Sequence, residues 1–389
     1  VLEPRELDLL ISTRRDLHRH PEIGFEEHRT AAIVADRLAR AGYEVRRGVG
    51  ITGVVGRLKG GAGAGRTLLL RADMDALPIR EATTHEFGST VPGRMHACGH
   101  DAHVAIGLAV AERLAARREE LPGEVRYVFQ PAEEGLGGAR LMVEEGVLEG
   151  VDAAMGLHVW LGLPTGTVGV VDGPQMAGSQ EFSVRIQGRG GHGAMPHETV
   201  DALLAASQFV VALQSVVSRN VSPMDTAVVT VGSLNAGTAC NVIADHALLE
   251  GTIRFFEERV ADTLRARISA LAEGICASFG AVAEVSFRDL IFPPTINAPD
   301  LALLVRQAAA GIAESVRADP GIVTMAAEDF AEFSTRVPGC YFFLGARNDR
   351  TGAVHPHHSP HFDLCEDALP IGVLVLERAA AAYLRGDEA

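Results

Sequence analysis

Four short segments of this 389-residue chain carry residue types that bind metal ions or move protons. MHACGHD (95–101) places Cys98, His100 and Asp101 within four residues, and a short turn at the start of a helix can aim such groups at one point. Glu133 and Glu134 are adjacent in QPAEEG (130–135), His158 follows the apolar run VDAAMGL, and HPHHSPHFD (355–363) packs four histidines into seven residues. Thiolate, imidazole and carboxylate together suit a borderline-soft divalent ion such as zinc, with nickel, cobalt or manganese as alternatives. Neighbouring side chains in a loop point differently, so one glutamate can hold metal while the other takes a proton from an attacking water. Taken singly, each residue has a plainer reading. A histidine ending a strand is more often hydrogen-bonded in a core, a cysteine more often a small buried hydrophobe, and a His-rich loop usually just solvated. The conjunction favours a metal site, provided that one fold brings all four segments together.

The elements around them supply that fold. Apolar runs TLLLRA (67–72), EVRYVF (124–129), VDAAMGL (151–157) and CYFFLG (340–345) alternate with amphipathic helices, including 6–15, 26–41, 101–118 and 366–384. That alternation predicts an α/β domain with a mostly parallel sheet. Ligands in such sheets bind beyond the carboxyl ends of the strands. Three of these strands run into Asp73-Met74-Asp75, into Glu133-Glu134 and into His158, so one sheet edge collects the acidic and imidazole groups. Between about 180 and 290 the order becomes β-α-β-β-α-β, that of a ferredoxin-like α+β domain. Gly/Pro-rich borders divide the chain into residues 1–177 with 295–389 and an inserted 178–294.

Within the insertion, GRGGHGAMPH (188–197) brackets His192 with glycines directly after a strand, leaving its imidazole open to a ligand. In NVIADHALLEGTIRFF (241–256), alternation puts Ile243, Ala247, Leu249, Ile253 and Phe255 on one face and His246, Glu250, Thr252 and Arg254 on the other. Arg254 there suits a substrate carboxylate, because its planar fork matches that anion.

Composition removes several function classes. With 35 Lys+Arg against 50 Asp+Glu the net charge is −15, which argues against binding a phosphate backbone. No apolar stretch is expected to approach the ~18–20 residues of a membrane span, and the start, VLEPRELDLL, lacks a signal-peptide core. The chain is therefore expected to be soluble and cytoplasmic, and its five scattered cysteines imply no disulfide framework. GGAGAGRT (60–67) precedes a strand instead of following one, so it reads as a turn and not a phosphate loop.

These residues carry a family resemblance. RRDLHRHPEIGFEE (14–27), RADMDALP (71–78), MHACGHD, QPAEEG, GLHV (156–159), GGHGAMPH, the strand from Asn241 to Arg254, AEDF (327–330) and HHSPHFD occur in order along nearly the whole chain. The set resembles the M20 metallopeptidase family, in its aminoacylase-type amidohydrolase branch that includes hippurate hydrolase and the indole-3-acetyl-amino-acid hydrolases. The resemblance implies a metallohydrolase domain with two divalent ions and a lid domain that also makes a dimer contact, in a homodimer or homotetramer. It implies Cys98, His100, Glu134, His158 and His358 as metal ligands, Glu133 as catalytic base and Asp75 as a supporting carboxylate. His192 would stabilise the oxyanion, often across a subunit interface, and Asn241 and Arg254 would bind substrate. The expected reaction is hydrolysis of an N-acyl amino acid, with acetyl, benzoyl or indoleacetyl groups all open. A metallo-di- or carboxypeptidase and an N-acetyl-diaminopimelate deacetylase are the near alternatives. A thiol hydrolase with Cys98 as nucleophile and His100 as base, and a non-catalytic metal-binding protein, are the distant ones.

Overall fold

The computed structural model describes residues 1–317 and 322–387; residues 318–321 and 388–389, which belong to the expected outer segment, lie outside the described residues. Helices α1 (Pro4–Arg19) and α2 (His28–Arg40) lead into β1 (Glu44–Val49), β2 (Gly53–Lys59) and β3 (Thr67–Asp73). Then come α3 (His100–Ala116), β4 (Glu124–Gln130), α4 (Gly138–Glu144), β5 (Ala153–Pro164), β6 (Thr167–Gly169) and the short β7 (Gly173–Met176). The next stretch holds β8 (Gly178–Gln187), β9 (Gly191–His192), α5 (Ala202–Asn220), β10 (Ala227–Ala236), β11 (Val242–Ile243), β12 (His246–Phe255), α6 (Glu258–Ser278) and β13 (Val282–Phe292). The chain closes with β14 (Thr295–Asn297), α7 (Pro299–Ala309), β15 (Ser315–Arg317), α8 (Ala331–Ser334), β16 (Gly339–Arg347) and α9 (Ala368–Arg385).

Two compact units result. The first comprises residues 1–175, 295–323 and 329–389, and the second residues 176–294 with 324–328. The small segment 324–328 groups with the second unit because the Ala177 N–H donates to the carbonyls of Thr324 and Ala326.

The first unit is built on an eight-stranded sheet in the order β1-β2-β4-β3-β5-β16-β6-β15. Its centre, β4-β3-β5-β16, is parallel throughout. Strands buried on both faces read as continuous apolar runs, which is why Leu68, Leu69 and Leu70 on β3 and Val128 and Phe129 on β4 are all buried. One expectation is corrected here. VDAAMGL does not end at His158: β5 continues to Pro164, and His158 pairs with Phe343 because β16 gives the longer strand a partner beyond the end of β3. Asp73 pairs with Gln130, and Arg71 with Gly156, so His158 still stands level with the end of β3.

The second unit has a four-stranded antiparallel sheet in the order β10-β12-β8-β13, with α5 and α6 packed on its apolar face. That is the ferredoxin-like arrangement. Ala247, Leu249, Ile253 and Phe255 of β12 are buried, whereas Ile243 belongs to the separate β11, which pairs with β9. The expected single strand from Asn241 therefore breaks between β11 and β12. Helix α5 is long and apolar enough to cross a membrane by length and composition, contrary to the expectation that no stretch comes close. It buries Ala202, Ala205, Ala206, Phe209, Leu213 and Val216 in this unit's core.

Gly99 caps the N-terminus of α3 with φ +93°, and an added Cβ would lie 2.4 Å from Val159 Cγ2. Both the backbone and the β5 neighbour demand glycine. Gly99→Ala is expected to destabilise the first unit by about 1–3 kcal/mol and to displace Cys98 and His100 on either side. Thermal denaturation and bound-metal analysis would check this, and an unchanged melting temperature would contradict it.

Candidate metal centre

Three loops and one strand of the first unit meet beyond the end of β3. The Cys98-Gly99-His100 turn opens α3; Glu133 and Glu134 follow β4; His158 stands on β5; His358 comes from the loop after β16. Cys98 Sγ lies 3.5 Å from His158 Nε2. His158 Nδ1 lies 2.6 Å from the Val159 carbonyl, to which it can only donate, so its Nε2 lone pair faces the sulfur. His100 Nδ1 meets Asp75 at its carbonyl (2.9 Å) and at Oδ1 (3.2 Å), which leaves Nε2 aimed at Glu134 Oε1, 4.0 Å away. Glu134 Oε1 is also 3.3 Å from His358 Nε2.

The donor atoms fall into overlapping triads, the atoms of each lying within 4.8 Å of one another: Cys98, His100 and His158; Cys98, Glu134 and His358; and His100, Glu133 and Glu134. Cys98 belongs to two of them. Among the described residues, His100 Nε2 is buried without a hydrogen-bond partner, with Asp73 Oδ2 at 3.6 Å and Glu134 Oε1 at 4.0 Å as its nearest carboxylate oxygens. Buried polar atoms of this kind ordinarily find one, and a divalent cation is what a mixed sulfur, nitrogen and oxygen set would accept. Charge points the same way. Burial opposes protonation of His100, yet Asp73, Asp75 and Glu134 outweigh it and push the imidazole up to about 10. A cation would meet the same surplus of negative charge. The residues present therefore fit a metal ion.

Further groups hold these donors. Asp75 faces His100 through Oδ1 and accepts the Glu134 N–H at Oδ2 (3.0 Å), so one carboxylate orients two of the site residues. His103 was passed over in the sequence. Its Nδ1 lies 2.5 Å from Asp73 Oδ1, its Nε2 accepts the Val159 N–H, and its ring stands edge-on to His158 at 4.6 Å. The signal was the spacing: His103 is three residues from His100 on a helix, hence on the same face. Asp73 in turn is tied to the buried Arg71, which also donates to Gln130, Asp329 and the Tyr341 hydroxyl.

The His-rich loop divides its histidines. His358 has φ +64° and donates its N–H to the Ala97 carbonyl, placing its ring beside Glu134. His357 is half-buried between Trp160 and Phe362, accepts the Leu161 N–H, and is held down at about 3 by desolvation and by its neighbouring histidines. His355 and His361 pack on each other.

Asp101 does not join the donors, which corrects the grouping of Cys98, His100 and Asp101 at one point. One residue into the helix it faces the other way, toward Arg14 Nε (2.9 Å) and His18 Nδ1 (2.8 Å) of α1. Burial would raise its pKa, but those two cations hold it far below the usual carboxylate range. In the pairing of Cys98 with His100 as a thiol base, the sulfur has His158 and not His100 as its hydrogen-bonded imidazole, and His100 Nδ1 is held by Asp75.

In the second unit, His192 on β9 pairs with Val242 and the Gly193 N–H donates to the Asn241 carbonyl, so His192 and Asn241 share one end. Arg254 does not join them. It lies eight residues along β12 from His246, roughly 26 Å at about 3.3 Å per residue. Among the described residues it has no hydrogen-bonded or ion-paired partner, and burial lowers its pKa.

The model of the peptidase family M20/M25/M40 matches residues 69–382. The chain belongs to that family. A thermostable carboxypeptidase of Saccharolobus solfataricus is 40% identical over 94% of this chain and 93% of its own length. An N-acetyl-L-cysteine deacetylase of Bacillus subtilis is 40% identical over 97% of this chain and 89% of its own. The crystal structure of the Bacillus subtilis YxeP protein, described as a dinuclear metal binding peptidase of the M20 family, superposes with a TM-score of 0.85 at 36% identity, covering 98% of this chain and 99% of that one. The mostly parallel sheet is thus the M20 fold.

The contact of His18 with Asp101 gives this M20 protein a pH signature. Burial disfavours charge on His18, but Asp101 and Glu81 outweigh it and raise its pKa. A raised folded-state value stabilises fully below the unfolded value near 6.5, and the gain disappears as pH climbs through the raised value. The gap in melting temperature between wild type and His18→Gln is therefore expected to be about 2 °C or more at pH 6 and to narrow steadily on the alkaline side. A gap independent of pH would contradict the assignment.

Proposed function

We propose that this protein is a two-metal amidohydrolase that cleaves N-acyl amino acids to a carboxylic acid and a free amino acid. Amide-bond hydrolysis is what the M20 family does; the two metal ions and the N-acyl substrate are the finer reading. The observation that carries it is the overlap of the donor triads, in which Cys98, His100 and Glu134 each serve more than once, with Glu133 beside Glu134 at their edge. Cys98, His100, Glu134, His158 and His358 would hold the ions, zinc being favoured by the thiolate and imidazoles over manganese, nickel or cobalt. When bound, the ions would polarise the amide carbonyl and make water a nucleophile near neutral pH.

The chain's own residues supply the rest. Glu133 is 8% exposed, and its carboxylate lies within 4.8 Å of His100 and Glu134 donor atoms. From there it would take the proton of the attacking water and return it to the leaving amine, while Asp75 keeps His100 and Glu134 in place. His192 would stabilise the developing oxyanion and Asn241 would bind beside it. The unpartnered Arg254 would clamp the substrate carboxylate. His192 and Arg254 stand at opposite ends of β12, so one small substrate cannot touch both in a single subunit. A homodimer in which His192 reaches the partner's substrate accounts for both. The unpaired edge of β10 and the exposed Leu203, Leu204 and Val211 on α5 offer the surface for it. A cytoplasmic location goes with the reduced thiol that Cys98 must keep.

A metallocarboxypeptidase is the second reading, favoured by the Saccharolobus relative. A C-terminal peptide bond and an N-acyl amino acid present the same pair, an amide beside a free carboxylate.

A panel of acetyl, benzoyl and indoleacetyl amino acids and dipeptides, assayed after apo preparation with each metal, separates these readings. Glu133→Gln is expected to lower kcat by about 10²–10⁴ while bound metal by elemental analysis stays at the wild-type level. Cys98→Ala is expected to lower bound metal instead. Retained turnover in the first, or full metal in the second, would overturn the corresponding role; activity that survives chelation but not alkylation would favour a thiol hydrolase.

A further inference from the structure

The motif HPEIGFEE (20–27) resembles its family as closely as the metal loops do, yet it supplies no donor to the site. Its structure shows where it is spent. Glu22 accepts the N–H groups of Arg29 and Thr30 at the start of α2, and its carbonyl accepts the Ala76 N–H, next to Asp75. Glu27 is fully buried. One carboxylate oxygen accepts the Ala132 N–H at 2.8 Å and the other accepts the Thr52 hydroxyl. Ala132 has φ +53°, a left-handed conformation that an alanine adopts only at a cost, and it is followed at once by Glu133 and Glu134. The Gly138 N–H closes the same loop onto the Ala132 carbonyl.

A strained peptide persists only where its surroundings over-determine it, and here the side chain that holds the N–H is Glu27. Burial itself argues that this carboxylate has been kept for a purpose, since taking it out of water pushes its pKa up to about 7 and a neutral side chain would be cheaper there.

We propose that Glu27 is a positioning residue for the site: it fixes the left-handed Ala132 peptide and thereby aims Glu133 and Glu134. This rests on the reading of Glu134 as a metal ligand and Glu133 as the base. Loss of the clasp would free the loop to relax toward an ordinary backbone conformation, weakening metal binding through Glu134 and slowing turnover through Glu133, with KM changing less.

The test measures Zn²⁺ affinity of the apo full-length protein by competition with a chromogenic chelator, alongside kcat, KM and thermal midpoint. Glu27→Ala is expected to weaken Zn²⁺ binding at least tenfold and lower kcat similarly. Glu27→Gln, whose amide can accept from Ala132 and donate to Thr52, is expected to stay within about threefold of wild type. Ala132→Gly on the Glu27→Ala background is expected to recover about fivefold, because glycine removes the left-handed penalty. Should Glu27→Ala not fold, Thr52→Val, which releases one anchor only, decides the matter with an expected loss of about threefold. Unchanged Zn²⁺ affinity in folded Glu27→Ala, an unaltered Thr52→Val, or a glutamine variant as impaired as alanine would overturn the proposal. If wild type itself binds no Zn²⁺, the metal reading has failed and not the clasp alone.

Discussion

Two site groups, the buried His100 Nε2 and Glu134 Oε1, stand 4.0 Å apart; among the described residues His100 Nε2 has no hydrogen-bond partner, while Glu134 Oε1 is reached by His358 Nε2 at 3.3 Å. Leaving a buried group such as His100 Nε2 unsatisfied costs about 1–3 kcal/mol. Much of the surrounding structure serves to keep them there. Asp75 turns the His100 ring and fixes the Glu134 backbone; Asp73 and His103 secure the strand that carries His158; Glu27 holds the peptide before Glu133. These contacts confine the donors, which is the arrangement a preorganised metal site requires.

That support has an electrostatic logic as well. Four carboxylates, Asp73, Asp75, Glu133 and Glu134, stand at the ends of β3 and β4, and Asp73 has the buried Arg71 against it. In the absence of a cation the imbalance falls on His100, whose pKa climbs to about 10. Metal binding would displace that proton.

Much of this was legible in the sequence, for identifiable reasons. Uninterrupted apolar runs such as TLLLRA mark strands buried on both faces, and the β-α-β-β-α-β order marks the inserted unit. Cys98, His100, Glu133, Glu134, His158 and His358 were visible as a set because they follow such strands or open a helix. What escaped were features decided by direction and by long-range pairing. Asp101 sits beside His100 in sequence yet points to α1, because successive helical residues diverge by about 100°. The continuation of β5 past His158 depends on β16, nearly two hundred residues away. His103 and Glu27 look like an ordinary core histidine and an ordinary helix-start glutamate until the backbone shows what each one touches.

On the proposed reading Cys98, His100, Glu134, His158 and His358 would hold two metal ions, with Glu133 outside the ligand set. Anomalous diffraction at the zinc edge from crystals of the zinc-loaded enzyme tests this most directly. Two peaks about 3.5–4 Å apart, ringed by Cys98, His100, Glu134, His158 and His358 and with Glu133 not bound to either, are the expected result. A single peak, or Glu133 as a ligand in place of Glu134, would contradict it.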